Sequence, residues 1–106
     1  MTRKLSHIGI PVDKIPEKSI YMEGPKMHLT NYGYSPNNIE WIYFEKDSPM
    51  PDVLKNNIHI AYEVPDLADA LEGKEVIIPP FEPFEGVKAA FIVEEGLGIE
   101  LMEYLV

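Results

Sequence analysis

The chain has 106 residues, 45% of them hydrophobic and 25% charged, enough for one compact domain or two small halves sharing a core. Its net charge of −9, with 18 acidic against 9 basic residues and no basic run, excludes nucleic acid and anionic membrane surfaces as partners. The absence of cysteine excludes disulfides and thiolate chemistry, and with no apolar stretch long enough for a signal segment or a membrane span a cytoplasmic protein is expected.

Leu5 to Val12 reads as a first strand, with Ile8, Ile10 and Val12 on one face and His7 and Gly9 on the other. Asp13 to Pro25, broken by Pro16, Gly24 and Pro25, reads as loop with at most a helical turn. Lys26 to Tyr34 is predicted as a second strand, closed by the turn Ser35-Pro36-Asn37-Asn38. Ile39 to Glu45 follows as an aromatic and β-branched strand, its alternation placing Glu40, Ile42 and Phe44 on one face and Ile39, Trp41, Tyr43 and Glu45 on the other. Lys46 to Pro51 is a proline-containing connector, and Asp52 to Asn57 a short helical turn at the boundary between halves.

Ile58 to Val64 is the next strand. A short helix over Asp66 to Leu71 comes after it, with Asp66 as N-cap, Leu67, Ala70 and Leu71 at helical spacing, and Gly73 as its stop. Lys74 to Ile78 is a brief strand. Pro79 to Gly86 reads as a stiff loop whose Phe81 and Phe84 are candidates to line an apolar pocket. Val87 to Val93 and Leu97 to Leu105 complete the chain as a hairpin about Glu94-Glu95-Gly96.

The chain says one thing twice. His7-Ile8-Gly9-Ile10-Pro11-Val12 is echoed by His59-Ile60-Ala61-Tyr62-Glu63-Val64, and Ile39-Glu40 by Ile99-Glu100. His7 to Glu40 spans 33 residues and His59 to Glu100 spans 41, the shortfall falling where the first half should have its helix. Two βαβββ units, the first with its helix eroded, give an α+β domain over residues 1–106, module one covering about 5–46 and module two about 58–105. Neither unit buries its apolar face alone, so two curved mixed sheets are expected to pair around a cleft lined by equivalent positions. Two histidines and two carboxylates at those positions are a plausible ligand set for a divalent metal.

His59-Ile-Ala-Tyr-Glu-Val-Pro-Asp-Leu, Ala89-Ala90-Phe91-Ile92 and Gly98-Ile99-Glu100-Leu101-Met102-Glu103 resemble the second module of the vicinal oxygen chelate superfamily, which includes glyoxalase I, methylmalonyl-CoA epimerase, extradiol dioxygenases and the fosfomycin and bleomycin resistance proteins. The resemblance covers residues 58–105 well and 5–45 more loosely. It implies a glyoxalase-like fold and a divalent ion (nickel, zinc, cobalt, manganese or iron) held by His7, Glu40, His59 and Glu100. Glu45 competes with Glu40 for the first carboxylate position, although Ile39-Glu40 matches Ile99-Glu100 in register. The chemistry implied is that of a lyase or isomerase on a small vicinal-oxygen substrate, passing through an enolate or enediolate with Glu100 or Glu40 as proton carrier. Arg3 is the only arginine, which argues against glutathione as the substrate.

Other readings stand beside these. A histidine at a strand entrance is ordinarily satisfied by backbone or water, and the same fold serves non-catalytic small-molecule binders. His28 has no partner in the repeat and is expected to be structural; Trp41, Tyr43, Tyr62 and Phe91 are expected in the core. Glu63 and Glu103 read as solvated or supporting groups, and Glu82, Glu85, Glu94 and Glu95 as a solvated face. A homodimer would cover the edges exposed by the short first half.

Overall fold

In the computed structural model, which describes residues 2–105, the two His-Ile segments lie side by side at the centre of the molecule. β1 (Lys4–Pro11) pairs antiparallel with β5 (His59–Glu63), Ile8 opposite Ile60. Each then takes the last strand of its own module in parallel, β4 (Ile39–Phe44) beside β1 and β8 (Leu97–Tyr104) beside β5. Antiparallel strands continue outward from these, β3 (Met27–Leu29) and β2 (Ile20–Met22) on one side, β7 (Val87–Glu94) and β6 (Val76–Phe84) on the other. The result is one eight-stranded mixed sheet, in the order β2-β3-β4-β1-β5-β8-β7-β6, whose halves are related by a pseudo-twofold between Ile8 and Ile60. The expected α+β double module is present, and its halves join edge to edge. The sheet curls, since residues of both edge strands, β2 and β6, line the same concave cavity.

Two short α-helices complete the described residues, α1 (Asp52–Lys55) in the connector and α2 (Leu67–Leu71) after β5. The Asp66 carboxylate accepts from the Asp69 N–H at 3.1 Å, the Glu103 carboxylate accepts from the Leu67 N–H at 2.8 Å, and Gly73 adopts the left-handed conformation that ends the helix. Of the two readings of Glu103, solvated or supporting, the structure has the supporting one, as a helix cap. Leu67 and Ala70 bury against Ala90, Ile92, Ile99 and Leu101 of the sheet, forming the main apolar core. Module one has no helix over the matching face. Trp41, expected in the core, is consequently 40% exposed there, and module one's apolar residues instead wall the cavity.

Three local expectations are corrected. Ile20–Met22, expected in a loop, is a strand: its three residues gain a ladder only from Met27–Leu29, across a turn that long-range pairing stabilises and local propensity does not reveal. The strand predicted over Lys26 to Tyr34 is only Met27–Leu29, because the chain turns into a single 3₁₀ turn at Tyr32–Tyr34 capped by the Asn31 side chain. Pro79 to Phe84, expected as loop, belongs to β6. Proline is tolerated because β6 is an edge strand whose register shifts repeatedly against β7, leaving the prolines out of the ladder.

Glu94, read as part of a solvated face, ties the chain's beginning to module two. Its carboxylate accepts two hydrogen bonds from the Arg3 guanidinium, at 2.8 and 3.0 Å, and a third from Lys74 at 2.9 Å. The Arg3 bonds above all hold the carboxyl down at about 2. A lowered folded-state value means that the stabilisation is complete above the ordinary carboxylate range and is lost as pH falls through it toward 2. Glu94→Gln is therefore expected to cost about 1 kcal/mol at pH 7, with the gap from wild type narrowing between pH 5 and pH 3. Urea midpoints over that range check it; a gap independent of pH would contradict the ion-pair origin.

Candidate metal centre

The ladder register assembles the site. In module one His7 faces the concave side two residues before Gly9, which pairs with Glu40; in module two His59 stands two residues before Ala61, which pairs with Glu100. Because β1 and β5 cross at Ile8 and Ile60, His7 lies opposite Ala61 and His59 opposite Gly9. Small residues thus flank both imidazoles, and all four side chains converge from a single chain. A bulge at Ser6 in β1 accompanies the turn of His7 into the site, where the Ser6 hydroxyl lies 3.0 Å from His7 Nδ1. Tyr32 stacks on the His7 ring at 3.8 Å between centroids, and Phe91 meets the His59 ring edge-on at 5.3 Å.

The donor atoms are near one another but do not satisfy one another. Glu100 Oε1 is 3.5 Å from His7 Nε2 and 3.4 Å from His59 Nε2, and Glu40 Oε1 is 3.8 Å from each. Both Nε2 atoms are buried without a hydrogen-bond partner, a costly arrangement for any polar group. A divalent ion with nitrogen and oxygen ligands at its usual bond lengths separates tetrahedral neighbours by about 3.4 Å. The observed gaps are close to that spacing and too long for good hydrogen bonds. Two neutral imidazoles and two carboxylates would also balance a dication. The buried cluster of His7, Glu40 and His59 could therefore hold a metal ion, with Glu100 beside it.

Electrostatics separate the two carboxylates. Burial pushes both upward. It prevails at Glu40, while at Glu100 the His59 and His7 imidazoles outweigh it and hold the carboxyl down at about 2. Burial raises the Tyr32 phenol to about 12, keeping it neutral beside His7.

The structure brings together all four residues proposed from the repeat. The alternative first carboxylate, Glu45, lies on the opposite face of β4, as period-two alternation requires, with its carboxylate 3.2 Å from His28 Nε2. His28 is accordingly part of a peripheral pair. Phe91 is buried as expected and also shapes the site. The sequence reading missed Gly9, Ser6 and Tyr32. Gly9 stands in the first His-Ile echo where its equivalent is Ala61, and that small-for-small match was the available signal; Tyr32 and Ser6 have none in the repeat. Above the four donors opens a cavity of about 400 Å³, walled by both modules, with Phe81 and Phe84 at its rim.

No family model matches the sequence, and no curated protein matches it. Solved structures do. A hypothetical protein from Bacillus halodurans C-125 superposes with a TM-score of 0.62 at 20% identity, over 97% of this chain and 95% of the other. Methylmalonyl-CoA epimerase from Mycobacterium tuberculosis superposes with a TM-score of 0.58 at 19% identity, over 95% of this chain and 87% of the other. At these identities the likeness is one of fold alone.

Proposed function

We propose that the protein is a metal-dependent isomerase or lyase of the vicinal oxygen chelate type, acting on a small molecule with two adjacent oxygens. The observation that carries this reading is the pair of buried, partnerless imidazole Nε2 atoms facing two carboxylates at spacings close to a metal coordination polyhedron. The fold it shares with an epimerase supports the same reaction class.

All four donors lie within reach of one ion; His7, His59 and Glu100, whose atoms are the closest together, would hold it, and Glu40 would be the carboxylate free to leave it. When bound, such an ion supplies Lewis acidity to the two substrate oxygens, lowering the cost of negative charge on them. The chain's own part is to take and return a proton at the adjacent carbon. Glu40 is the better placed carrier: it stands farther from both imidazoles than Glu100, and its side chain is the more open, 14% against 8% exposed. Neutral Tyr32 and buried Phe91 fix the imidazoles, so the carboxylate moves against a rigid frame. The apolar walls exclude water from the carbanionic stage.

Metal analysis followed by proton exchange tests the reading. Purified protein should take up one divalent ion per chain and then exchange solvent deuterium into suitable 2-hydroxy or α-oxo compounds. Glu40→Gln should slow that exchange by about 10²- to 10⁴-fold while metal is still bound. Absence of metal uptake would overturn the proposal. Uptake without exchange in any candidate would point instead to a non-catalytic binding protein of the same fold.

A further inference from the structure

The cavity above the four donors is chemically one-sided. Apart from the quartet, Tyr32 and Glu82 its described walls are apolar, contributed by Met22, Met27, Leu29, Ile42 and Phe44 of module one and by Phe81, Pro83 and Phe84 at the rim of module two. Glu82, at the rim, is the one further ionisable lining residue, and it is acidic. None of the nine lysines and arginines lines the space. The two lysines next in sequence to lining residues are engaged elsewhere: Lys26 pairs with Asp47, and Lys55 donates to the Ser48 carbonyl at 3.1 Å. Arg3 is committed to Glu94.

The consequence is electrostatic. Two carboxylates and a dication leave the floor neutral, so beyond the two chelated oxygens nothing attracts an anion. A carboxylate or phosphate on the body of the ligand would be desolvated among methionine and phenylalanine side chains, beside Glu82, in a chain of net charge −9. The volume, about 400 Å³, is that of a compact small-molecule pocket. The methionines lend the walls a deformable surface that accepts varied apolar shapes.

We infer that the substrate is a compact molecule with an uncharged, apolar body lying along Met27, Phe44, Phe81 and Phe84 and a single two-oxygen head at the quartet. This assignment rests on the proposed metal site for the head group alone; the preference for a neutral body follows from the walls.

The test separates the two parts. Cobalt-loaded protein is titrated calorimetrically with acetohydroxamate, 4-butylbenzohydroxamate and 4-carboxybenzohydroxamate, all bearing the same two-oxygen head. Acetohydroxamate binding reports the metal centre alone. The butyl compound should bind at least about tenfold more tightly than the carboxylate compound, and Phe84→Lys, at an exposed rim position on an edge strand, should narrow or reverse that ratio. Metal-free protein should likewise prefer 2-naphthol to 2-naphthoate, which reads the walls even if acetohydroxamate fails to bind and the metal reading falls. Equal or tighter binding of the anionic member in both pairs would overturn the inference, as would a butyl-over-carboxylate ratio untouched by Phe84→Lys.

Discussion

His59→Ala is expected to abolish the stabilisation that a divalent ion gives this protein. An ion present at a hundredfold excess over its dissociation constant stabilises the state that binds it by about 2.7 kcal/mol. For a domain of this size that corresponds to a rise of roughly 10 °C or more in melting temperature. The wild type should show the rise with nickel, zinc, cobalt or manganese, and His59→Ala should not, because the His59 Nε2, like that of His7, is buried with no hydrogen-bond partner among the described residues. Glu100→Ala should lose the rise as well, since its Oε1 lies within 3.5 Å of both imidazoles. Glu45→Ala should keep it in full, because Glu45 faces His28 on the other side of β4. Thermal melts of the four proteins with and without metal decide the matter. Loss of the rise in Glu45→Ala would move the first-module ligand to the rejected position, and retention in His59→Ala would dissolve the site.

The repeat makes this candidate site legible in the sequence, and ladder geometry explains why. A strand fixes which residues share a face by parity alone, so His7 with Gly9, and Glu40 with Ile42 and Phe44, could be assigned from spacing. Register between parallel strands is then shared by both modules: Ile8 pairs with Ile39 as Ile60 pairs with Ile99. The match of Ile39-Glu40 to Ile99-Glu100 in the sequence is that shared register written out. Features without this double entry were lost. β2 has three residues and exists only through its partner. The stacking of Tyr32 on His7 depends on a 3₁₀ turn that interrupts what reads as a continuous strand. The proline run of β6 contradicts strand propensity, and only its edge position makes it tolerable. The face left open by the missing helix explains Trp41, whose type suggests a core that module one does not build.

Gly9→Ala is expected to disable the metal centre without altering a single ligand. A methyl at Gly9 would fall 2.1 Å from Cε1 of the His59 ring, with the ring's two nitrogens also closer than any real contact. Gly9 has ordinary strand geometry, so what it supplies is room for a close approach rather than backbone freedom. The ring cannot tilt far in place, since Phe91 stands against it at 5.3 Å and the side chain is only 5% exposed. It must swing from its rotamer, which costs about 1–3 kcal/mol of packing and takes Nε2 away from Glu40 and Glu100. The melting-temperature rise with metal should therefore vanish in Gly9→Ala as it does in His59→Ala, while the far-ultraviolet spectrum stays that of a folded sheet. The mirror position supplies the control. Ala61 already carries a methyl opposite His7, so Ala61→Gly should keep the metal response, at a cost in stability of about 1 kcal/mol from the added backbone freedom. The pseudo-twofold is thus broken at this pair: module one gives up a side chain so that the imidazole of module two can approach its backbone closely, and the weaker half of the repeat turns out to hold the stricter requirement.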